Sequence, residues 1–391
     1  MRRVLLIVAA ACLALAPVTV EAAVASWEQW RPVKGALDID GPRTDGSLVV
    51  MGSAALSLVS PEGEVKPFAR GPGGYREDPY PREAYMVNSI GGHVAAANCD
   101  WTPDETFLLR AHVPLGITRV SADGEDSGSF VNLTGINVLT GIAFDNTGAF
   151  DHRLLVLGVS GTRSVIFAVD CNGGVQTIKP NLRSLEGDMV VAPTGFGPYG
   201  GNLLLTDEFS GKILSVAPGG TVAVVLKTPL PAGMDITMHG LGFVPDGFTE
   251  RGGAVYQADR GGGGGSFPGN DTIRRIQSAD LIGAGVKDGD LLVAAEFGGA
   301  MIDVRCEETC TSFLVARASK ATHGEGKIAF SMSAATASPS PQAPQTSAGG
   351  PLVPAAVVTY IGEWGIPTAA FALLVLFVAA VGFQVFLRRR R

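Results

Sequence analysis

Between Gly200 and Val225 the chain reads GGNLLLTDEFSGKILSVAPGGTVAVV, with three short apolar runs: Leu203–Thr206, Lys212–Val216 and Thr221–Val225. Turn residues at Asp207–Gly211 and Ala217–Gly220 separate them. Short runs rich in Leu, Val and Ile, divided by Gly, Pro, Ser and Asp, read as antiparallel strands joined by hairpins. Pro218-Gly219-Gly220 stops any helix from passing through. A meander of this size cannot cover its own apolar faces, so it needs neighbours built like itself.

The chain supplies them. Asp45–Phe68, Val87–Phe130, Leu139–Ile178, Leu185–Val225, Met238–Ile276 and Gly289–Val315 follow one plan. Each has an x-Gly-hydrophobic strand, then a Leu/Val-rich strand ending near Asp or Gly. A basic-hydrophobic strand and an Asp-Gly or Gly-Gly turn lead to the last strand. Four short strands recurring every 40–50 residues or so are the pattern of propeller blades. The expected fold is all-β, a six-bladed β-propeller with four-stranded blades, with five or seven blades as the adjacent counts. A two-sheet sandwich does not produce this period. Either His323–Phe330 or Trp27–Val33 is expected to supply the strand that closes the ring.

The termini predict a topology. Met1-Arg2-Arg3 precedes an apolar run, and Ala23-Val24-Ala25 gives a small-x-small site, so residues 1–25 read as a signal peptide. Ile366–Leu387 carries no charge and is followed by Arg388–Arg391. That length spans a hydrocarbon core of roughly 30 Å, and the arginines mark the cytoplasmic side. Residues 364–387 are thus expected to be a transmembrane helix and 388–391 a basic tail. The alternative is a processed sorting signal, although no LPxTG-type site is present. The Ser/Ala/Pro-rich segment 331–363 reads as a disordered stalk. The expected arrangement is a propeller over residues 26–330, outside the cell and anchored to the bilayer by one span.

Composition narrows the partners. With 52 Gly, 24 Pro, 17% charged residues and a net charge of −7, the chain has no basic patch for nucleic acid. Cys12 leaves with the signal peptide, and an even number of cysteines remains in an oxidising compartment. Cys306 with Cys310, and Cys99 with Cys171, are expected to form disulfides. No CxxC pair or His-x-x-x-His spacing accompanies them to suggest zinc.

The phrases LLLTDEFSGKILSVAPGGTV and LTGIAFDNTG resemble the blades of NHL-repeat proteins and of the senescence-marker/gluconolactonase group. In the latter family the resemblance implies acidic and amide side chains at the channel holding a divalent metal, which polarises a lactone or ester carbonyl. The residue before the glycine of each x-Gly-hydrophobic strand should face the channel, which selects Thr140, Glu186 and His239. Glu186 fits a metal site, His239 replaces an oxygen ligand and Thr140 is a poor one. Calcium, which favours six to eight oxygens, is therefore a poor match. Glu186 and His239, completed by Asp207 or Asp259, suit a transition metal. Against this, Asp207 and Asp259 end strands where a carboxylate commonly fixes a turn.

Gly261–Gly265 is not followed by a helix and so is no phosphate loop. No Gly-x-Ser-x-Gly elbow occurs. Gly71–Tyr85 clusters tyrosines and arginines and suits recognition or blade packing equally. Asn132 and Asn270 head glycosylation sequons. The leading expectation is a surface binding module for an extracellular ligand, glycan or protein, with no cofactor assigned and a divalent metal left open. The alternative is a metal-dependent lactonase or esterase.

Overall fold

The computed structural model describes residues 24–52, 55–70, 75, 85–183, 185, 187–233, 238–262, 267–317 and 322–333. The expected signal peptide up to residue 23, the expected stalk beyond residue 333 and the expected membrane span lie outside the described residues. No helix among the described residues is long and apolar enough to cross a membrane.

Strand β1 (Glu28–Pro32) comes first. Blade 1 is β2 (Asp38–Asp40), β3 (Leu48–Gly52), β4 (Ala55–Val59) and β5 (Val65–Phe68). Blade 2 is β6 (Met86–Asn88) followed, after an inserted hairpin β7 (Gly92–Val94) and β8 (Cys99–Trp101), by β9 (Thr106–Arg110), β10 (Gly116–Val120) and β11 (Ser127–Asn132). Blade 3 is β12 (Val138–Phe144), β13 (Leu154–Ser160), β14 (Arg163–Val169) and β15 (Val175–Arg183). Blade 4 is β16 (Met189–Val191), β17 (Leu203–Asp207), β18 (Lys212–Val216) and β19 (Val222–Lys227), which takes up the meander of Gly200–Val225.

The last two blades are interleaved. The chain runs β20 (Met238–Phe243), α1 (Phe248–Arg251), β21 (Gly253–Asp259), β22 (Thr272–Gln277) and α2 (Ser278–Gly283). It continues through β23 (Leu291–Ala295), β24 (Met301–Cys306), β25 (Cys310–Ala316) and β26 (Gly324–Met332). Blade 5 is β20-β23-β24-β25, whereas blade 6 is β26-β21-β22-β1. The expected unit Met238–Ile276 is therefore split between two sheets. The link after β20 does not turn back as a hairpin, because Phe248 is buried edge-on against Phe330 of β26. The Asp288 carboxylate also holds the Gly247 and Thr249 N–H groups there. Both candidate closing strands are used: β26 is innermost and β1 outermost in the same sheet.

Strand alternation explains why the sheets stack into a ring. In β3, Leu48 and Val50 pack on the blade 6 side, while Val49 and Met51 pack on blade 2. In β13, Leu154 and Val156 face blade 2, and Leu155 and Leu157 face blade 4. A period of two with both faces apolar is what a blade covered on either side requires. One buried cluster fills each of the seams between successive blades, including the one joining blade 6 to blade 1. The disulfides form as expected: Cys99–Cys171 ties the inserted hairpin to blade 3, and Cys306–Cys310 closes the β24–β25 turn.

The inner strands are joined by carboxylates. Asp38 accepts the N–H of Met86 in blade 2 (2.7 Å) and of Lys327 in blade 6 (2.8 Å). Asp188 accepts the Leu241 N–H (2.9 Å) and the Lys327 ammonium (3.0 Å). Burial pushes the Asp38 carboxyl up, Lys327 draws it back, and it settles at about 6. Burial depresses the Lys327 ammonium, but Asp188, Asp38 and Asp40 outweigh that and raise it. Further out, Asp303 has no exposure, and among the described residues no donor reaches its oxygens. Burial, then the adjacent Asp290, lifts its carboxyl well above the usual range.

Two stability predictions follow from these charges. Lys327→Met strands buried carboxylates and should cost about 3–5 kcal/mol in urea unfolding; a neutral outcome would show that the channel charges are solvated. Asp303→Asn should stabilise. Above pH ~4 the unfolded Asp303 releases its proton while the folded one retains it, so wild type loses stability as pH rises towards the raised folded value. The variant's advantage should be absent below pH ~4 and reach on the order of 1–2 kcal/mol at pH 8, a shift of a few degrees in thermal melts.

Candidate functional site

At the end of the channel where the inner strands begin, five side chains from three blades form a line that alternates carboxylate and imidazole. His239 Nδ1 lies 3.5 Å from Glu208 Oε1, and its Nε2 lies 3.6 Å from Glu325 Oε2. Glu325 Oε1 is 3.2 Å from His323 Nε2, which is 3.0 Å from Glu296 Oε1. Glu208 follows β17, His239 belongs to β20, Glu296 follows β23, His323 immediately precedes β26 and Glu325 lies at its start. All five are buried.

Local backbone geometry brings them together. Gly240 and Gly326, the glycines after His239 and Glu325, let neighbouring inner strands meet: a Cβ on Gly240 would lie 2.8 Å from the Gly326 carbonyl. Gly326 also adopts φ +64°, where a Cβ would strike Asp38. The Thr322–Gly324 segment is laced between blades. Its Gly324 N–H donates to Glu296 O, Gly298 N–H donates to Thr322 O, and Arg260 N–H donates to His323 O. Beneath it Arg274 is fully buried, its guanidinium 4.2 Å from the Trp27 ring and bonded to Gln257. Tyr85 stacks parallel on His239 at 5.9 Å.

The electrostatics are those of tight ion pairs. Burial lowers the His323 imidazole, but hydrogen bonds to Glu296 and Glu325 exceed that effect and hold it at about 9. Burial likewise opposes the charge on His239, and Glu208 and Glu325 raise it well above the ordinary histidine value. Burial pushes Glu325 up, while His323, His239 and Arg260 bring it below the usual carboxylate value. Arg260 NH1 sits 3.1 Å from Glu325 Oε1.

Glu296, His323 and Glu325 each offer a ligand atom, all within 4.8 Å of one another. The 3.0 and 3.2 Å separations at His323 Nε2 are close to the edge of a tetrahedron with bonds of roughly 2.0–2.1 Å, about 3.3 Å. Two carboxylates and an imidazole are the donor set of a zinc- or manganese-type ion. The donor set fits a divalent transition metal.

Of the sequence candidates, His239 joins this site. Glu186 lies outside the described residues. Thr140 is buried and donates to the Leu185 carbonyl (3.3 Å). Asp207 is not in the cluster: its oxygens are taken by Arg183 and by the Ser210 hydroxyl and N–H of its own turn. Asp259 serves from behind, accepting the His323 N–H (2.9 Å) and the Asn270 amide (2.7 Å), which also engages that sequon's nitrogen. Glu208, Glu296, His323 and Glu325 were not selected from the sequence. Glu325 nevertheless satisfies the x-Gly-hydrophobic rule in EGKIAF, and Glu208 and Glu296 share the context Leu-Leu…Glu-Phe.

No family model and no curated protein matches the chain. Similar solved structures include a streptogramin B lyase, with 12% identity over 78% of this chain and 94% of that one and a TM-score of 0.42. Virginiamycin B lyase from Staphylococcus aureus gives 12% identity, 78% and 96% coverage and a TM-score of 0.43. A gluconolactonase from Xanthomonas campestris gives 11%, 60% and 69% coverage and a TM-score of 0.37. At such scores none of them bears on the chemistry of this site. The strand pairing and the six filled seams identify the chain as a six-bladed β-propeller.

Proposed function

We propose that this propeller is a divalent-metal-dependent hydrolase that opens lactones or esters at one mouth of its channel, displayed outside the cell on a C-terminal anchor. The observation that carries the reading is the convergence of Glu296, His323 and Glu325, buried, from two blades. A cation held there would polarise the substrate carbonyl and its attacking water. With Glu325 engaged by a cation, His239 Nε2 would be free to take a proton from the attacking water and return it to the leaving alkoxide. The new C–O bond comes from water, the acyl–O bond breaks, and a hydroxy acid or an acid and alcohol result. Glu208, at Nδ1, fixes the tautomer and stabilises the imidazolium, as a carboxylate does for a catalytic histidine. Tyr85 keeps the ring in plane.

A second reading, a binding module without chemistry, draws on the same line of residues. Three carboxylates and two imidazoles in alternation pair with each other without a cation.

Titration of the purified full-length chain with Zn²⁺ or Mn²⁺ separates the two. The hydrolase reading expects one equivalent bound, affinity lowered at least tenfold by His323→Ala or Glu325→Gln, and a melting temperature that falls on chelation. His239→Asn should keep the metal and lose roughly 10²–10⁴-fold in turnover. A metal-free chain indifferent to chelator and inert towards lactones and esters would leave the binding module.

A further inference from the structure

Glu208 and Glu296 are each followed by phenylalanine, in LLLTDEFSG and LLVAAEFGG. Phe297 meets the His323 ring edge-on at 4.9 Å, and Phe267, from the segment after β21, stacks on Phe297 at 5.1 Å and 19°. Both are only half-buried. Phe209 is 46% exposed beside the buried Glu208. A chain whose aromatic content is only 7% thus sets phenylalanines from three neighbouring blades beside the buried Glu–His line. Exposed ring faces are costly in water and gain most by covering another flat apolar surface.

We infer that the group bound against this wall is a flat apolar ring, so that the site takes aryl-fused lactones or arylacyl esters in preference to polyhydroxylated sugar lactones. This rests on the hydrolase reading and adds the substrate class to it. The polar reacting carbonyl meets the Glu–His line while the ring lies against Phe297 and Phe267. A polyhydroxylated ring in that position would surrender hydrogen bonds to water against phenylalanine faces that return none. Phe297 also holds the edge of His323, so the wall and the metal-ligating imidazole form one packed unit.

The test compares 3-isochromanone with δ-valerolactone, six-membered lactones that both release an alkoxide. It is run with metal-loaded full-length chain and corrected for uncatalysed opening. In parallel the chain is titrated calorimetrically with the ring-opened products, 2-(hydroxymethyl)phenylacetate and 5-hydroxypentanoate. The expected result is at least a tenfold preference for the aryl compound in kcat/KM and in Kd, reduced to about threefold or less in Phe267→Ala. Phe297→Leu should act in the same direction. Because Phe297 touches His323, the Phe267 variant decides if metal binding is disturbed. Equal or reversed preference, or a preference untouched by Phe267→Ala, overturns the inference. If neither lactone is opened but the aryl product still binds preferentially through Phe267, the preference for a flat ring at this wall stands and the hydrolase reading falls. If neither lactone is opened and the products bind alike, both fall.

Discussion

The Lys327 ammonium lies near the axis of the ring and is held by Asp188, while its own N–H is held by Asp38. Lys327 sits in the last inner strand, Asp38 in the first and Asp188 just before the fourth, so one residue ties the end of the chain to its beginning and across the channel. A propeller has no covalent closure. Its ring holds because the last sheet is assembled from both ends of the domain, β26 inside and β1 outside. Charge makes that closure specific: buried carboxylates are tolerable only where an opposite charge and N–H donors meet them, which happens in one register of β26.

The same register places the functional candidates. Glu325 lies just before Lys327 on β26 and His323 immediately before the strand, so the closure that seats Lys327 also delivers them to Glu296 and His239. Interleaving of the last two blades reinforces this. Asp259, at the end of β21, and Glu296, at the end of β23, both hold the Thr322–Gly324 segment through backbone N–H groups. Two strands from different blades thus fix the start of β26. Preorganisation of this kind is what a metal or acid–base site needs, because its ligands must be held before the ligand arrives. The aromatic wall continues the arrangement outward, since Phe297 pairs with His323 in an isolated bridge and stacks with Phe267.

Much of the fold could be read in advance because it depends on local patterns. The meander at Leu203–Val225, the turn at Pro218-Gly219-Gly220 and the recurring x-Gly strands are short-range features, and they gave the strand count, the period and the ring. The partition of Met238–Val315 was not legible. Whether β21 turns back on β20 or crosses to β26 is decided by Phe248 against Phe330 and by Asp288, contacts distant in sequence. The site shows the same division. His239 was found because its strand obeys the x-Gly rule. Glu325 obeys it too, but it sits in a segment read only as ring closure. Glu208 and Glu296 follow second strands and acquire meaning only when the channel brings them to two histidines. Asp207 and Asp259 had looked like ligands by residue type, yet their oxygens are occupied by a turn and by the His323 N–H.

The central claim is that Glu296, His323 and Glu325 form a ligand set for a divalent cation, and crystals of the protein grown with Mn²⁺ would test it most directly. The account predicts an anomalous-scattering peak within roughly 2.0–2.3 Å of one atom from each residue, with His323 Nε2 no longer bonded to either carboxylate. No peak between them, with the His323–Glu296 and His323–Glu325 contacts unchanged at saturating metal, would contradict it.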